Sequence, residues 1–220
     1  MPVDFLNEEQ RSSYGQFSEE PNEAQLARYF LLDEADIAFI SERRGEQNRL
    51  GVALQITVAR FLGNFLPDLT VVPKNVKVFV ANQLSIKDIR VLSGYARREN
   101  TRWEHMALIR DQYGYRDFNS PPWGFRLSRH LYSRAWISNE RPSLMFDFAT
   151  AWLIQHKVLL PGVTTLTRLI AEIRERATSL LWSRLSTLPS DEQKVELDKL
   201  LETSEGLRNS QFDLLKKGPV

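Results

Sequence analysis

Apolar residues recur at helical spacing along almost the whole chain, and no alternating apolar–polar stretch exceeds about five residues, so there is little from which to build a sheet. The longest periodic run is 163–187. There Val163, Leu166, Leu169, Ile170, Ile173, Ala177, Leu180, Leu181 and Leu185 fall on one i, i+3, i+4, i+7 stripe, which predicts a long amphipathic helix. Capping chemistry places the others. Asn22 precedes a helix over 22–31, and Asp33 with Asp36 three residues later opens a second that stops near Gly45. Over 47–63, Leu50, Leu54, Val58 and Phe61 share a face up to Gly63-Asn64, and Gly51 inside that helix predicts a close crossing by a neighbour. The fold class expected is all-α and multi-helical.

Proline and glycine punctuate the rest. Pro67 and Pro73 bound a loop, after which 74–83 and 86–94 read as two short helices joined at Leu84-Ser85, with Ser85 and Asp88 as a capping pair. Their lengths fit a helix-turn-helix-like unit, although any all-helical protein contains such pairs. Thr101 and Glu104 cap the segment 101–115, whose buried side is undefined because Trp103, Ala107, Ile109 and Arg110 share no single face. The sequence 117–124, with Pro121-Pro122 and Gly124, is the clearest break. Helices are expected over 125–140 and 143–157, divided by Arg141-Pro142, and over a mostly charged 191–203. These breaks suggest a subdomain over 1–120, a second over 121–205 and a tail over 206–220.

Composition removes several chemistries. The chain has no cysteine, which excludes a disulfide framework, a thiol nucleophile and Cys-ligated zinc or iron–sulfur clusters. His105, His130 and His156 are too widely spaced for a local metal motif, and no nucleophile elbow, phosphate-binding glycine loop or HExxH sequence occurs. Glu34 and Asp36 sit at a helix start, and Glu172 and Glu175 lie among Arg168, Arg174 and Arg176 as solvent-face pairs. Neither a catalytic centre nor a cofactor or metal site is therefore expected. The N-terminus carries no secretory pattern, and the most apolar stretch is interrupted by Arg60, so the expectation is a soluble intracellular protein without membrane contact.

The near-neutral formal charge of +1 hides an uneven distribution. Residues 1–40 hold two basic and nine acidic side chains, 41–141 hold seventeen and nine, and 142–220 hold ten of each. Arginine outnumbers lysine by 21 to 8, and its fork suits phosphate oxygens and guanine edges. Three clusters stand out in the basic block: Arg43, Arg44 and Arg49; Arg97, Arg98 and Arg102; and Arg126, Arg129 and Arg134 near Trp123 and Tyr132. The first two straddle expected helix starts, where free amides also favour an anion. For any one cluster a solvated face is the simpler explanation, and the aromatic residues could equally fill the core. Three in one block shift the balance toward nucleic acid. His105 reads as a structural or phosphate-contacting residue, and Lys87 and Arg90 would lie on the second helix of the possible pair, which would offer both to the major groove.

Four ordered blocks carry a resemblance: Arg43-Arg44-Gly45-Glu46-Gln47-Asn48-Arg49-Leu50-Gly51-Val52-Ala53-Leu54-Gln55; Val80-Ala81-Asn82-Gln83-Leu84; Arg98-Glu99-Asn100-Thr101-Arg102-Trp103-Glu104-His105; and Leu159-Leu160-Pro161-Gly162 with Leu166, Arg168, Leu169, Arg174 and Ala177. In order and spacing, over nearly the whole chain, they resemble the N-terminal region of the transposases of Tn3-family replicative transposons. Trp103 stands where that family more often carries a basic residue.

The resemblance implies an all-helical region that binds the terminal inverted repeats of a transposon as double-stranded DNA, in a bacterial cytoplasm. It implies that cleavage belongs to a downstream DDE-type domain using divalent metal, and that self-association would involve the full-length transposase. On this reading the chain is not itself an enzyme, and Arg43, Arg44, Arg49, Lys87, Arg90, Arg97, Arg98, Arg102, His105, Arg126 and Arg129 are its DNA-binding candidates. The alternative is a helical protein–protein or dimerisation module, in which the acidic 1–40 segment covers the basic block.

Overall fold

Helix α4 (Glu46–Leu62) organises the chain, because eleven of its residues are buried. Leu50, Leu54, Ile56 and Val58 are fully enclosed, and each such side chain contributes roughly 1.5–3 kcal/mol on leaving water. That burial lets the segment stay helical despite Gly51 and the β-branched residues Val52, Ile56, Thr57 and Val58, which weaken isolated helices. It ends at Gly63, whose φ of 73° is the left-handed conformation that glycine adopts without a Cβ penalty. The expected close crossing is present at Gly51: a Cβ built there would lie 2.4 Å from Cδ2 of Tyr95.

The computed structural model describes residues 5–95, 99–203 and 210–216. Among them the chain is all-α, with an isolated bridge between Arg116 and Val158 and no strand. The helices besides α4 are α1 (Glu8–Ser13), α2 (Glu23–Tyr29), α3 (Glu34–Ser41), α5 (Lys74–Gln83), α6 (Leu92–Tyr95), α7 (Glu99–Tyr113), α8 (Trp123–Ile137), α9 (Pro142–Gln155), α10 (Val163–Thr187), α11 (Asp191–Lys199) and α12 (Gln211–Lys216). The Asn22 and Asp33 caps form as full capping boxes with Gln25 and Asp36, and α10 covers its expected span.

The chain divides into two compact units, Met1–Ile173 and Arg174–Val220. The first unit holds two hydrophobic clusters. One gathers α4 with Phe30, Ile40, Val76, Val80, Leu92, Tyr95 and Ile109. The other joins Leu127 and Leu131 of α8 to Met145, Phe146 and Leu153 of α9 and to Leu166, Ile170 and Ile173 of α10. Helix α4 packs against α2, α3, α5, α6, α7 and α9 and so links the two. Two glutamines fasten its surroundings. The Gln55 amide accepts from Leu66 N and donates to its carbonyl at 2.7 Å, holding the loop after α4. Gln83 accepts from Leu32 N at 2.8 Å and donates to the Phe30 carbonyl, tying the end of α5 to the α2–α3 turn. In the second unit, Ser190 and Gln193 form a capping box at α11.

The helix expected over 86–94 is not continuous. Residues Ile89–Val91 form a 3-10 turn and only Leu92–Tyr95 is α-helical. The Ser85–Asp88 capping box is absent: Ser85 takes a φ of 56°, and the Asp88 carboxylate instead accepts from the amide of Arg90 two residues on. Local side-chain bonding of this kind competes with helix initiation. A helix-turn-helix is therefore not specifically shown. Helix α7 begins before Thr101, which lies inside it, and its buried side runs through His105, Met106 and Ile109. Trp103, which blurred the pattern in the sequence, is 62% exposed.

Candidate nucleic-acid interface

The first arginine cluster surrounds the α3–α4 corner. Gly45, with a φ of 83°, caps α4 without a side-chain acceptor. Arg44 stands exposed beside it, its carbonyl accepting from the Asn48 amide at 2.8 Å. Arg43 folds inward instead. Its guanidinium lies over the Phe39 ring at 4.9 Å and pairs with Glu42 at 2.7 Å, leaving the side chain 19% exposed. Arg49 is half-buried, with an enclosed Nε that has no partner.

Arg102 of the second cluster and the nearby His105 lie on α7. His105 is buried, stacks on Tyr95 with an interplanar angle of 14°, and holds its Nδ1 3.3 Å from the tyrosine hydroxyl. Burial lowers the pKa of this histidine, the nearby Arg43 charge lowers it further, and Glu104 opposes weakly. The enclosed imidazole packs against the Tyr95 ring. Arg102 donates to the Pro67 carbonyl and, with Arg110, Trp103, Phe65 and Met106, borders a groove of about 500 Å³. Arg97 and Arg98 lie outside the described residues.

The remaining candidates separate clearly. Lys87 is exposed on the turn after α5. Arg90 is also exposed, but Asp88 binds its Nε at 3.0 Å, and both sit on a turn rather than on a helix face. In the third cluster Arg134 is engaged by Glu140 at 2.7 Å and lies over the Phe148 ring. Arg126 and Arg129 are exposed on α8, Arg126 with its guanidinium 5.2 Å from the Trp123 centroid. Arg44, Lys87, Arg126 and Arg129 make no salt bridge among the described residues.

Sequence reasoning missed a buried ion pair between α3 and α4. Asp36 completes the α3 capping box by accepting from the Asp33 amide and is also fully buried. It receives Arg60 Nη1 and Nη2 at 2.8 and 2.6 Å and the Tyr113 hydroxyl at 2.8 Å. The lone arginine interrupting the apolar run of α4 was the available signal. Among the described residues no three His, Asp or Glu side chains gather as a metal set, and no helix is long and apolar enough to cross a membrane.

A family model described as a domain of unknown function, DUF4158, matches residues 5–173, ending where the first compact unit ends. The chain is 60% identical over 220 residues to the transposase for transposon gamma-delta of Escherichia coli (strain K12), covering all of this chain and 22% of that protein. It is 31% identical over 199 residues to the transposase for transposon Tn2501 of Escherichia coli, covering 88% of this chain and 19% of the relative. With the transposase for transposon Tn1546 of Enterococcus faecium the identity is 29% over 198 residues, covering 90% and 20%. The chain thus spans about a fifth of the length of the relatives it matches.

Proposed function

Since this chain belongs to the DUF4158 family and corresponds to the N-terminal region of Tn3-family transposases, we propose that it is the module with which such a transposase binds the terminal inverted repeats of its transposon as duplex DNA. The observation that carries this reading is the set of exposed arginines, Arg44, Arg126 and Arg129, that no carboxylate neutralises among the described residues. Exposed guanidinium groups without a carboxylate partner are available to a polyanion, and duplex DNA supplies an anion about every 1.7 Å along its axis. The module holds no catalytic centre or cofactor of its own in this reading, and divalent-metal chemistry belongs to the downstream part of the full-length protein.

The test is a salt titration of affinity for duplex DNA. Arg44→Ala is expected to weaken binding to every sequence about equally and to lower the salt slope by about one unit, as the loss of one phosphate contact does. A helical protein–protein module would instead show no salt-dependent duplex binding, and unchanged affinity and slope in Arg44→Ala would remove Arg44 from the interface. The acidic 1–40 segment is a weaker cover for the basic block than its charge suggests, because Asp36 is consumed inside the fold by Arg60.

A further inference from the structure

We propose that α8 is the helix that enters the major groove, and that Arg126 and Arg129 read base edges there. This rests on the duplex-binding reading above and adds the element that supplies sequence discrimination, a role the sequence offered to 86–94. At 86–94 a three-residue turn and a one-turn helix present no continuous face, and the exposed Arg90 pairs with Asp88. Helix α8 has what those residues lack. It is a 15-residue helix, about 22 Å long at 1.5 Å per residue, without a single acidic side chain.

Its two sides differ sharply. Leu127 and Leu131 are completely buried in the second hydrophobic cluster and fix the rotation of the helix. The opposite arc carries Phe125, Arg126, Arg129, His130, Ser133 and Ile137, all exposed. At 3.6 residues per turn these six positions form one contiguous face. A major groove about 12 Å wide admits a helix, and it offers guanine N7 and O6 to an arginine fork and the thymine methyl to an apolar contact. The exposed face supplies those partners: two arginine forks, a hydroxyl on Ser133, and an exposed ring on Phe125 (72% accessible). Phe125, Arg126, Arg129 and His130 all lie in the N-terminal half, the end that reading helices direct to base edges. Arg126 is pre-positioned by the Trp123 ring beneath it, and Arg129 has no interaction partner among the described residues.

The experiment selects duplexes from a pool with a randomised centre, using the full chain, Arg44→Ala, Arg126→Ala, Arg129→Ala and Arg129→Lys. The wild-type chain is expected to enrich one sequence. Arg126→Ala and Arg129→Ala should each enrich a sequence altered at one or two positions. They should bind the wild-type sequence about 5–150-fold less tightly, with far less loss on unselected duplex. Arg129→Lys keeps the charge but not the fork, so it should lose the preferred base while keeping general affinity. If the arginine variants of α8 enrich the wild-type sequence unchanged, or weaken all duplexes equally, α8 is not a reading helix even though the chain binds DNA. If the wild-type chain enriches no sequence, the duplex-reading function itself fails and the role of α8 falls with it. These positions are exposed, so thermal unfolding superimposable on wild type is expected for every variant.

Discussion

Arg60→Ala is expected to destabilise the chain by about 3–5 kcal/mol at neutral pH, because it strands a charge that is fully enclosed. Burial by itself would raise the pKa of Asp36, but hydrogen bonds from Arg60, from the Tyr113 hydroxyl and from the Asp33 amide, together with the Arg60 charge, outweigh it and hold the carboxyl below its ordinary value. The Arg60 side chain keeps 28% exposure, so its direct attraction is partly screened. The expected loss comes chiefly from leaving Asp36 without its bidentate partner. The direction of the shift fixes the pH dependence. A folded pKa below the unfolded value of about 3.9 means that the stabilisation is complete above that value and disappears as pH falls through the folded one. The gap between wild type and Arg60→Ala, measured by denaturant unfolding, should therefore be widest near neutrality and shrink in acid. An equal gap at neutral pH and near pH 3, or one under about 1 kcal/mol, would show that the ion pair does not hold α3 to α4.

Gly51→Val should cost about 3 kcal/mol, the upper part of the range for overpacking a core. The first atom of any new side chain would meet Cδ2, Cγ and Cε2 of Tyr95 at 2.4, 2.5 and 2.6 Å. That ring cannot simply swing aside, since Tyr95 is 2% exposed and stacked on His105. Gly51→Ala is the more diagnostic change. At an uncrowded helix position, alanine in place of glycine stabilises by about 1 kcal/mol, whereas here the sign should reverse. Combining Gly51→Ala with Tyr95→Ala should be markedly less costly than the sum of the two, since the second change opens the space the first needs. A stabilised Gly51→Ala variant, or strict additivity in the double variant, would mean that α6 does not cross α4 this closely.

Much of the fold was legible because its signals are local. Asn22, Asp33 and Gly63 act within a few residues of themselves, and the α10 stripe is a property of spacing alone. The error at 86–94 was also local in origin: the Ser85–Asp88 spacing suits a capping box and a tight turn alike, and the backbone took the turn. The candidate interface was legible only as a set of arginines. Which of them face solvent was not, because an arginine has the reach either to cover an aromatic ring, as Arg43 does over Phe39, or to remain free, as Arg129 does. Two of the resemblance blocks include glutamines, Gln55 and Gln83, that the structure uses as backbone braces, so shared sequence in this family need not mark contact with DNA.

By itself the sequence determined the all-helical class, most helix limits, the close approach at Gly51 and the family, since each depends on residue type and short-range spacing. Tertiary structure alone decided that Asp36, Arg60 and Tyr113 meet, that His105 is enclosed, and that Leu127 and Leu131 of α8 are buried while Arg126 and Arg129 face solvent. Those outcomes depend on residues up to 77 positions apart. Whether a charge is buried or solvated is set by what packs against it, and that partner is supplied by distant parts of the chain.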